Sequence, residues 1–237
     1  MKICENPYDT LQGEGKYIGV PTYFIRTAGC NLRCMFKDAN GLTKCDTPYS
    51  SWKVTDVKTF DVNKALKTIN EIGRKHICIT GGEPLMHKDL SEIVDKLILN
   101  GNVVTIETNG TYYDPSMPEA FMSISPKLRS SYNQPADSNE AKMHERNNNF
   151  LEPTQKWITS HEYQLKFVIN DDSDISEVLD IVDDLGADKS KVYLMPQGIT
   201  KEQLQQKSQW LFGQCIEHGF NYAPRLHIDL FGNKQGI

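Results

Sequence analysis

Three cysteines lie close together in one stretch of the chain, Cys30, Cys34 and Cys45, with the spacing C-x3-C-x10-C. Three thiolates suit an iron–sulfur cubane whose fourth iron stays open to a further ligand. A structural zinc site needs four ligands, and the next histidine along the chain is only His76. The spacing alone leaves three interpretations open: a [4Fe–4S] cluster, a zinc site completed from elsewhere, and uncoordinated thiols.

A second group that could bind a ligand is the tetrapeptide Gly81-Gly82-Glu83-Pro84, which follows a predicted buried strand. Glycine lacks a Cβ, so the backbone of Gly81 and Gly82 can come close to a ligand. The carboxylate of Glu83 is suited to a cationic amino group. Gly-Gly turns are common, and this one gains weight from its place after the strand that follows the three-cysteine loop.

Further polar groups also follow predicted strands. Because the carboxyl ends of parallel strands meet at one edge of a sheet, we expect these groups to share one site. They are Gly29-Cys30, Gly81-Gly82-Glu83-Pro84, Glu107-Thr108-Asn109-Gly110, Ser125-Pro126-Lys127 and Pro196-Gln197-Gly198.

The elements that position these groups alternate in type, which predicts an α/β fold with a mostly parallel sheet and right-handed crossovers. Predicted strands lie at 20–26, 77–80, 103–108, 121–125, 163–169, 192–195 and 222–227, and apolar helical stripes begin at Val62, Leu90, Ile175 and Thr200. Thr200 to Gln203 fits a capping box. Residues 30–51 are predicted to form a long loop, and the polar stretch 128–150 an exposed or mobile excursion. We expect one domain over 1–237.

Composition limits the function classes. The 237 residues are 38% hydrophobic and 24% charged, with a net charge of −5, which indicates a globular chain without a nucleic-acid-binding surface. No apolar run is long enough to span a bilayer, and the N-terminus lacks the core of a signal peptide. A cytoplasmic protein is therefore expected, in which cysteines serve metal binding or burial, as for Cys78 in its apolar run.

The three-cysteine loop after the first strand, followed by Gly-Gly-Glu-Pro after the second, resembles the radical S-adenosylmethionine (SAM) superfamily. The resemblance implies a partial (β/α) barrel, a [4Fe–4S] cluster on Cys30, Cys34 and Cys45, and SAM bound to the open iron and cleaved to a 5′-deoxyadenosyl radical. The usual spacing is C-x3-C-x2-C. Because Cys45-Asp46-Thr47 is similar to the residues after the third cysteine, we interpret 35–44 as an insertion, expected to form a short turn or helix over the cluster.

Within that superfamily the chain resembles the 7-carboxy-7-deazaguanine synthases, over nearly its whole length except 35–44 and 128–150. The motifs that carry this resemblance are Thr10-Leu11-Gln12-Gly13-Glu14-Gly15, Phe24-Ile25-Arg26-Thr27-Ala28-Gly29-Cys30, Glu107-Thr108-Asn109-Gly110, Ser125-Pro126-Lys127, Leu165-Lys166-Phe167-Val168, Leu226-His227 and Gly232-Asn233-Lys234-Gln235-Gly236-Ile237.

This second resemblance implies a reaction and its partners. The enzyme would contract the ring of 6-carboxy-5,6,7,8-tetrahydropterin to 7-carboxy-7-deazaguanine with loss of ammonia, regenerating SAM and requiring Mg²⁺. It also implies flavodoxin or ferredoxin as electron donor, a homodimer, and no nucleic-acid or membrane partner.

The resemblance further implies a role for individual residues. Thr47 would bind Mg²⁺, and the tail 228–237 would close the site. The SAM contacts would be Asp46, Gly82, Glu83, Glu107, Ser125, Lys127 and Gln197, and the pterin contacts Gln12, Glu14, Arg26, Gly81, His227 and the terminal carboxylate of Ile237. Mg²⁺ prefers hard oxygen ligands such as a hydroxyl, and a carboxylate suits the N–H donors of a guanine-like edge.

Taken without the resemblance, several of these residues have ordinary explanations. Thr47 and Lys127 fit a plain loop, Gln12 and Glu14 a turn between glycines, and a lone His227 a satisfied core or surface position. A buried Arg26 needs an anionic partner, either a substrate carboxylate or a structural Asp or Glu.

Two alternative functions stay open at this point. One is another radical SAM activity, an activase for glycyl-radical enzymes, which would act on a protein partner and often carries extra clustered cysteines. The other is a zinc-stabilised binding module, which would purify colourless, with zinc and without iron.

Overall fold

The computed structural model describes residues 1–38 and 41–236. Its strands are β1 (Lys2–Ile3), β2 (Tyr8–Leu11), β3 (Pro21–Thr27), β4 (Met35–Asp38), β5 (Gly41–Lys44), β6 (Lys58–Thr59), β7 (His76–Gly81), β8 (Val103–Thr108), β9 (Phe121–Ile124), β10 (Tyr163–Ile169), β11 (Val192–Pro196) and β12 (Asn221–Tyr222). Its helices are α1 (Pro48–Ser51), α2 (Val62–Ile72), α3 (Leu90–Leu99), α4 (Asn139–Asn147), α5 (Leu151–Ser160), α6 (Asp172–Leu185), α7 (Lys201–His218) and α8 (Leu226–Phe231).

One open sheet forms the centre of the molecule. Within the described residues its order is β12-β11-β10-β9-β8-β7-β3-β1-β6, with β2 also paired to β3. All pairs from β3 across to β12 are parallel, and only β1, β2 and β6 add antiparallel pairs at the other edge. The predicted α/β class with a mostly parallel sheet is therefore confirmed.

One face of this sheet packs its apolar side chains against the crossover helices, while the opposite face carries polar groups such as Thr80 and Lys166. Ile25, Ile79, Ile106, Ile124 and Leu165 on five neighbouring strands are each 0% exposed. Burying such a side chain contributes about 1.5–3 kcal/mol to folding. The core thus holds the strand ends, and the loops that follow them, in fixed positions.

Local sequence signals set the helix ends. The Asp61 side chain accepts hydrogen bonds from the first-turn N–H groups of α2, and α2 stops at Gly73 with a left-handed φ of 66°. The predicted capping box between Thr200 and Gln203 is present at the start of α7. No helix in the described ranges is both long and apolar enough to cross a bilayer.

The region predicted as one long loop, 30–51, contains regular structure, so that prediction was wrong. β4 and β5 form an antiparallel hairpin in which Met35 is paired with Lys44, and α1 follows. The turn or helix expected over 35–44 is therefore a hairpin, whose residues 39–40 lie outside the described part of the chain. Met35 and Phe36 are buried, and their packing fixes the hairpin.

The expected exposed excursion at 128–150 is confirmed in part, since residues 135–137 and 139–140 are exposed, but the segment also contains regular structure. It contains a short 3₁₀ turn at Arg129–Ser131 and the helix α4, and His144 on α4 is 0% exposed. Several of its polar side chains, among them His144 and Asn147, bind the backbone of the cysteine loop.

The last predicted strand, 222–227, is mostly wrong. β12 ends at Tyr222, and His227 lies on α8 instead. Pro224 follows β12 and lacks an N–H, so it cannot extend the ladder of hydrogen bonds.

Candidate functional site

A cavity of about 240 Å³ opens at the carboxyl ends of the parallel strands. That volume is several times the roughly 30 Å³ of one water molecule, so a small organic ligand fits. All residues that the sequence assigned to the cluster, SAM, magnesium or the pterin line this cavity except Glu83 and Ile237. Ile237 lies outside the described residues.

The three clustered cysteines lie on one wall of the cavity. The N–H of Cys45 donates to the carbonyl of Cys34 at 3.1 Å, which closes the hairpin and brings the second and third thiols together. Leu32 and Phe36 pack against the cysteines and keep this wall apolar. The insertion therefore does not separate Cys45 from the other two thiols.

The donor set of this wall fits an iron–sulfur cluster. Burial raises the pKa of the Cys30 thiol to about 12 and the pKa values of Cys34 and Cys45 above the usual range, so thiolates need positive charge from bound iron. In the described ranges no three His, Cys, Asp or Glu side chains converge on one single-ion position. A cluster instead takes one thiolate per iron, which three thiols spread along one wall supply.

The glycines after β7 allow the cysteine loop to pack closely on the sheet. A Cβ on Gly82 would lie 1.9 Å from the carbonyl oxygen of Gly29, so no other residue fits there. The N–H of Glu83 donates to that same carbonyl at 2.8 Å. The Gly-Gly pair thus positions the residue immediately before Cys30.

Glu83 itself does not face the cavity. Its side chain is 0% exposed and accepts hydrogen bonds from the Leu85 N–H at 3.0 Å, the Thr108 hydroxyl at 2.8 Å and the Asn109 N–H at 2.7 Å. The expectation that Glu83 holds an amino group of the cofactor is not supported. The carboxylate instead ties the end of β7 to the end of β8, and three protein donors satisfy it.

An amide pair holds the cysteine loop from the β8 side. Asn109 Nδ2 donates to Asn31 Oδ1 at 2.9 Å, and Asn31 Nδ2 donates to the Thr111 hydroxyl at 2.8 Å. Both asparagines are buried. The residue after Cys30 is therefore fixed by side chains that follow β8.

Gln12 and Glu107 form a hydrogen-bonded pair in the cavity. Gln12 Nε2 donates to one oxygen of Glu107 at 3.1 Å, while the Thr80 hydroxyl donates to the other at 2.8 Å. Gln12 Oε1 accepts from the Glu14 N–H at 3.2 Å. These bonds fix the orientation of the Gln12 amide and leave the remaining lone pairs of Glu107 for a ligand.

Glu14 lies between two cations. Its carboxylate bonds Lys166 Nζ and, at 3.1 Å, Arg225 Nε, while His227 Nε2 is 4.0 Å away. Burial alone raises the pKa of Glu14, but the charges of Lys166 and Arg225 outweigh it and hold the pKa below the usual range. Glu14 is thus an ionised acceptor at neutral pH.

Asp46, next to the third cysteine, also binds Arg225. Burial raises the pKa of Asp46, but the Arg225 charge outweighs it and lowers the pKa. The adjacent Thr47 hydroxyl lies 3.4 Å from the Cys45 sulfur. The predicted magnesium position therefore borders both the cysteine wall and the charge network.

Arg26 has a protein partner, one of the two possibilities left open by the sequence. Its Nε donates to Glu5 at 2.6 Å and Nη2 donates to the Tyr8 hydroxyl at 3.0 Å. The second oxygen of Glu5 accepts from Gln235 Nε2 at 3.0 Å, which anchors the tail beside the cavity.

Three more expected residues lie on the cavity wall. Lys127 Nζ donates to the carbonyl and hydroxyl of Ser125, at 2.7 and 2.8 Å, so Lys127 is held rather than solvated. Gln197 is buried and accepts from Lys207 Nζ at 3.2 Å. His227 packs against Gly13, where a Cβ would lie 2.2 Å from its ring.

Sequence reasoning missed Lys166 and Arg225 as site residues. A signal existed for Lys166, because it interrupts the apolar strand Tyr163–Ile169, and a buried lysine needs an anion. Arg225 gave no periodic or motif signal of its own. Only the fold brings it beside Glu14 and Asp46.

Comparisons with known proteins agree with this geometry. The Radical SAM superfamily model matches residues 24–206. The chain is 40% identical to a 7-carboxy-7-deazaguanine synthase of Rhodopirellula baltica, over 99% of this chain and 88% of that protein. It is 34% identical to one of Halobacterium salinarum, over 94% and 88%.

A solved structure has a similar fold. The crystal structure of QueE from Escherichia coli superimposes with a TM-score of 0.65 and 25% identity, covering 95% of this chain and 94% of that one. With a cavity that gathers three thiols and the strand-end residues, the chain belongs to the radical SAM superfamily and, within it, to the 7-carboxy-7-deazaguanine synthases.

Proposed function

We propose that this chain converts 6-carboxy-5,6,7,8-tetrahydropterin into 7-carboxy-7-deazaguanine and ammonia. The observation that carries the proposal is that the three thiols and the ionised Glu14 line the same cavity. The substrate and the two products balance in atoms without a net oxidant, so the reaction needs radical initiation rather than a redox partner in stoichiometric amount.

The family implies a [4Fe–4S] cluster and SAM, which when bound supply a radical able to remove a hydrogen atom from the substrate. The role of the chain is to hold both in place. Cys30, Cys34 and Cys45 would ligate the cluster, and the backbone at Gly81 and Gly82 leaves room beside it.

The remaining SAM contacts would come from the ends of four strands. Glu107 would accept hydrogen bonds from a diol such as ribose, because its carboxylate lines the cavity and is oriented there by Gln12 and Thr80. Ser125, Lys127, Gln197 and Asp46 would complete this side of the pocket.

Glu14 and Gln12 would hold the pterin ring. An ionised carboxylate accepts hydrogen bonds from the 2-amino group and a ring N–H, and Glu14 is kept ionised by Lys166 and Arg225. The Gln12 amide is fixed by Glu107 and adds an oriented acceptor. The hydrogen bonds from the pterin to Glu14 and Gln12 would set the distance between the substrate and the three cysteines.

The substrate carboxylate would lie at the other end of the cavity mouth. Arg26, whose Nε is paired with Glu5, and His227 line that opening and would contact the substrate carboxylate. Thr47 would offer its hydroxyl to Mg²⁺, a hard cation that prefers oxygen ligands and substrate anions. The terminal carboxylate of Ile237 would also reach the substrate, because the tail before it is anchored through Gln235.

The proposal includes the partners that the family resemblance implies. A low-potential flavodoxin or ferredoxin would reduce the cluster, and the active form would be a homodimer of single-domain chains. Product formation in the test below requires only the electron donor, or dithionite in its place.

The test is one anaerobic incubation of reconstituted, reduced protein with SAM, Mg²⁺ and 6-carboxytetrahydropterin, followed by mass spectrometry. We expect 7-carboxy-7-deazaguanine, and its formation with only a small pterin present distinguishes this activity from that of a glycyl-radical-enzyme activase. If 5′-deoxyadenosine forms without the deazaguanine, the radical chemistry stands and the substrate assignment fails.

A matched pair of variants sharpens the test. Glu14→Gln removes the charge of the pterin-binding acceptor, and we expect kcat/KM for the pterin to fall by roughly 10- to 100-fold, as for a lost charged hydrogen bond. Glu152→Gln, on the exposed face of α5, is the control and leaves kcat/KM unchanged.

A further inference from the structure

Arg225 joins three segments that are far apart in sequence. Its side chain is 7% exposed, and its Nε donates to Glu14, its Nη2 to Asp46 and its Nη1 to the carbonyl of Gly198, the first at 3.1 Å and the last at 2.6 Å. Glu14 belongs to the loop after β2, Asp46 to the cysteine loop and Gly198 to the loop after β11. Each of the three guanidinium nitrogens therefore donates a hydrogen bond to a different segment.

This arrangement uses a property that only arginine has. The guanidinium is planar, always charged and carries five donors in a rigid fork, so its three partners are held at fixed mutual angles. A lysine ammonium carries the same charge without that geometry. Glu14, 13% exposed, and Asp46, 34% exposed, also repel one another, and the cation between them offsets the repulsion.

The two carboxylates that Arg225 binds belong to the two halves of the site. Glu14 is the proposed pterin acceptor, and Asp46 is bonded directly to Cys45 in the chain and precedes Thr47. Lys166, the other partner of Glu14, lies on β10 within the sheet. Arg225 is thus the direct link between the substrate loop and the cofactor loop.

We propose that Arg225 is a positioning residue that couples the pterin-binding carboxylate to the cysteine loop, and so fixes where the substrate lies relative to the radical source. The proposal deepens the proposed function and rests on it. Its consequence is that SAM cleavage is coupled to product formation. When the distance between the pterin and the cysteine loop is fixed, each SAM cleavage leads to product. When that distance varies, SAM is cleaved without hydrogen transfer from the pterin.

The experiment compares wild type, Arg225→Lys and Arg225→Met, reconstituted with iron and sulfide under anaerobic conditions. The readouts are the KM for the pterin, kcat, and the moles of 5′-deoxyadenosine released per mole of deazaguanine. Far-UV circular dichroism and iron content establish that each variant is folded and loaded. Arg74→Lys is the matched control, since Arg74 makes a similar fork to Asp9 at 2.5 Å but at the surface.

We expect Arg225→Lys to stay folded and loaded, with the KM raised roughly tenfold and the 5′-deoxyadenosine per product raised at least about fivefold, because small misplacements near reacting atoms have effects up to about 100-fold. Arg225→Met should show a larger rise in both. Arg74→Lys should match wild type.

Two outcomes overturn the inference. A folded, loaded Arg225→Lys with wild-type KM and a wild-type ratio of 5′-deoxyadenosine to product shows that the fork does not set the spacing. An Arg225→Lys that loses stability while both quantities stay unchanged shows a structural role only. Failure of the proposed function is a separate result, since wild type itself would then make no deazaguanine.

Discussion

Two walls of the cavity are stabilised by different kinds of contact. The inner wall, at the strand ends, carries Gln12, Glu14, Glu107, Lys166 and Arg225, and its contacts join charged side chains to one another. The outer wall consists of the cysteine loop and the hairpin β4–β5, and residues 129–148 support it from behind. Its contacts join uncharged side chains to the backbone of the cysteine loop.

Side chains of residues 129–148 bind four polar backbone groups between Asn31 and Met35. His144 Nδ1 accepts from the Arg33 N–H at 3.0 Å, and Asn147 Nδ2 donates to the Asn31 carbonyl at 2.8 Å. Gln134 donates to the Arg33 carbonyl, and Asn133 Nδ2 donates to the Met35 carbonyl at 3.1 Å. The segment 129–148 thus replaces water as the partner of an irregular loop.

This difference separates two tasks. The inner wall sets charge, which decides which ligand atoms are accepted, and rigid parallel strands hold it. The outer wall sets the backbone shape of the loop that carries the thiols and contributes no net charge to the cavity through these bonds. Mutations in the two walls should therefore have different effects. Those in the inner wall should change charge and pKa values, and those in the outer wall should change the local stability of the cysteine loop.

The largest effect is expected from breaking the buried ion pair of the inner wall. Lys166→Met leaves Glu14 with Arg225 alone in a buried position, and we expect the free energy of unfolding to fall by about 3–5 kcal/mol, as for other buried pairs that lose one partner. Anaerobic urea unfolding measures the change.

Two further variants control this experiment. Lys156→Met removes the lysine of an exposed i,i+4 pair with Glu152 and should have no measurable cost. The double variant Lys166→Met with Glu14→Gln removes both buried charges and should lose less than Lys166→Met alone. An equal loss in the double variant would show that packing, rather than the uncompensated charge, causes the effect.

The two walls also differ in how far the sequence predicts them. Motifs at strand ends indicated Glu107 and Gln197, because parallel topology alone brings such ends to one edge, whereas Gln12 was predicted only from the family resemblance. The hairpin was missed because Lys37 and Lys44 break its apolar alternation. His144 was missed because one buried polar residue on a polar helix gives no periodic signal, and its partner is the backbone of a distant loop.

A medium effect with a pH signature is expected at the outer wall. Burial lowers the pKa of His144 to about 4, from an ordinary value near 6.5. Between these values the unfolded state binds a proton that the folded state does not, so stability falls as the pH drops from about 6.5 to 4. The shift corresponds to about 3 kcal/mol lost across that range.

The variant His144→Gln isolates this contribution. Glutamine keeps an acceptor for the Arg33 N–H and does not titrate, so the variant should lose less stability than wild type on acidification. Urea unfolding of both proteins at several pH values from 7 to 4 gives the comparison. Parallel pH curves would mean that His144 is protonated in the folded protein and that the outer wall does not hold it neutral.

The smallest effect should come from a single amide of the outer wall. Asn147→Ala removes the donor to the Asn31 carbonyl and leaves that carbonyl without this partner, at a cost of about 1–2 kcal/mol. Asn149→Ala, two residues on and exposed, is the matched control within the same run of asparagines and should be neutral. Hydrogen exchange gives the location: we expect faster exchange at residues 31–35 in Asn147→Ala, with unchanged exchange in β8 and β10. Faster exchange at the Lys166 strand as well would contradict the separation of the two walls, because the cysteine loop and the charge network would then open as one unit.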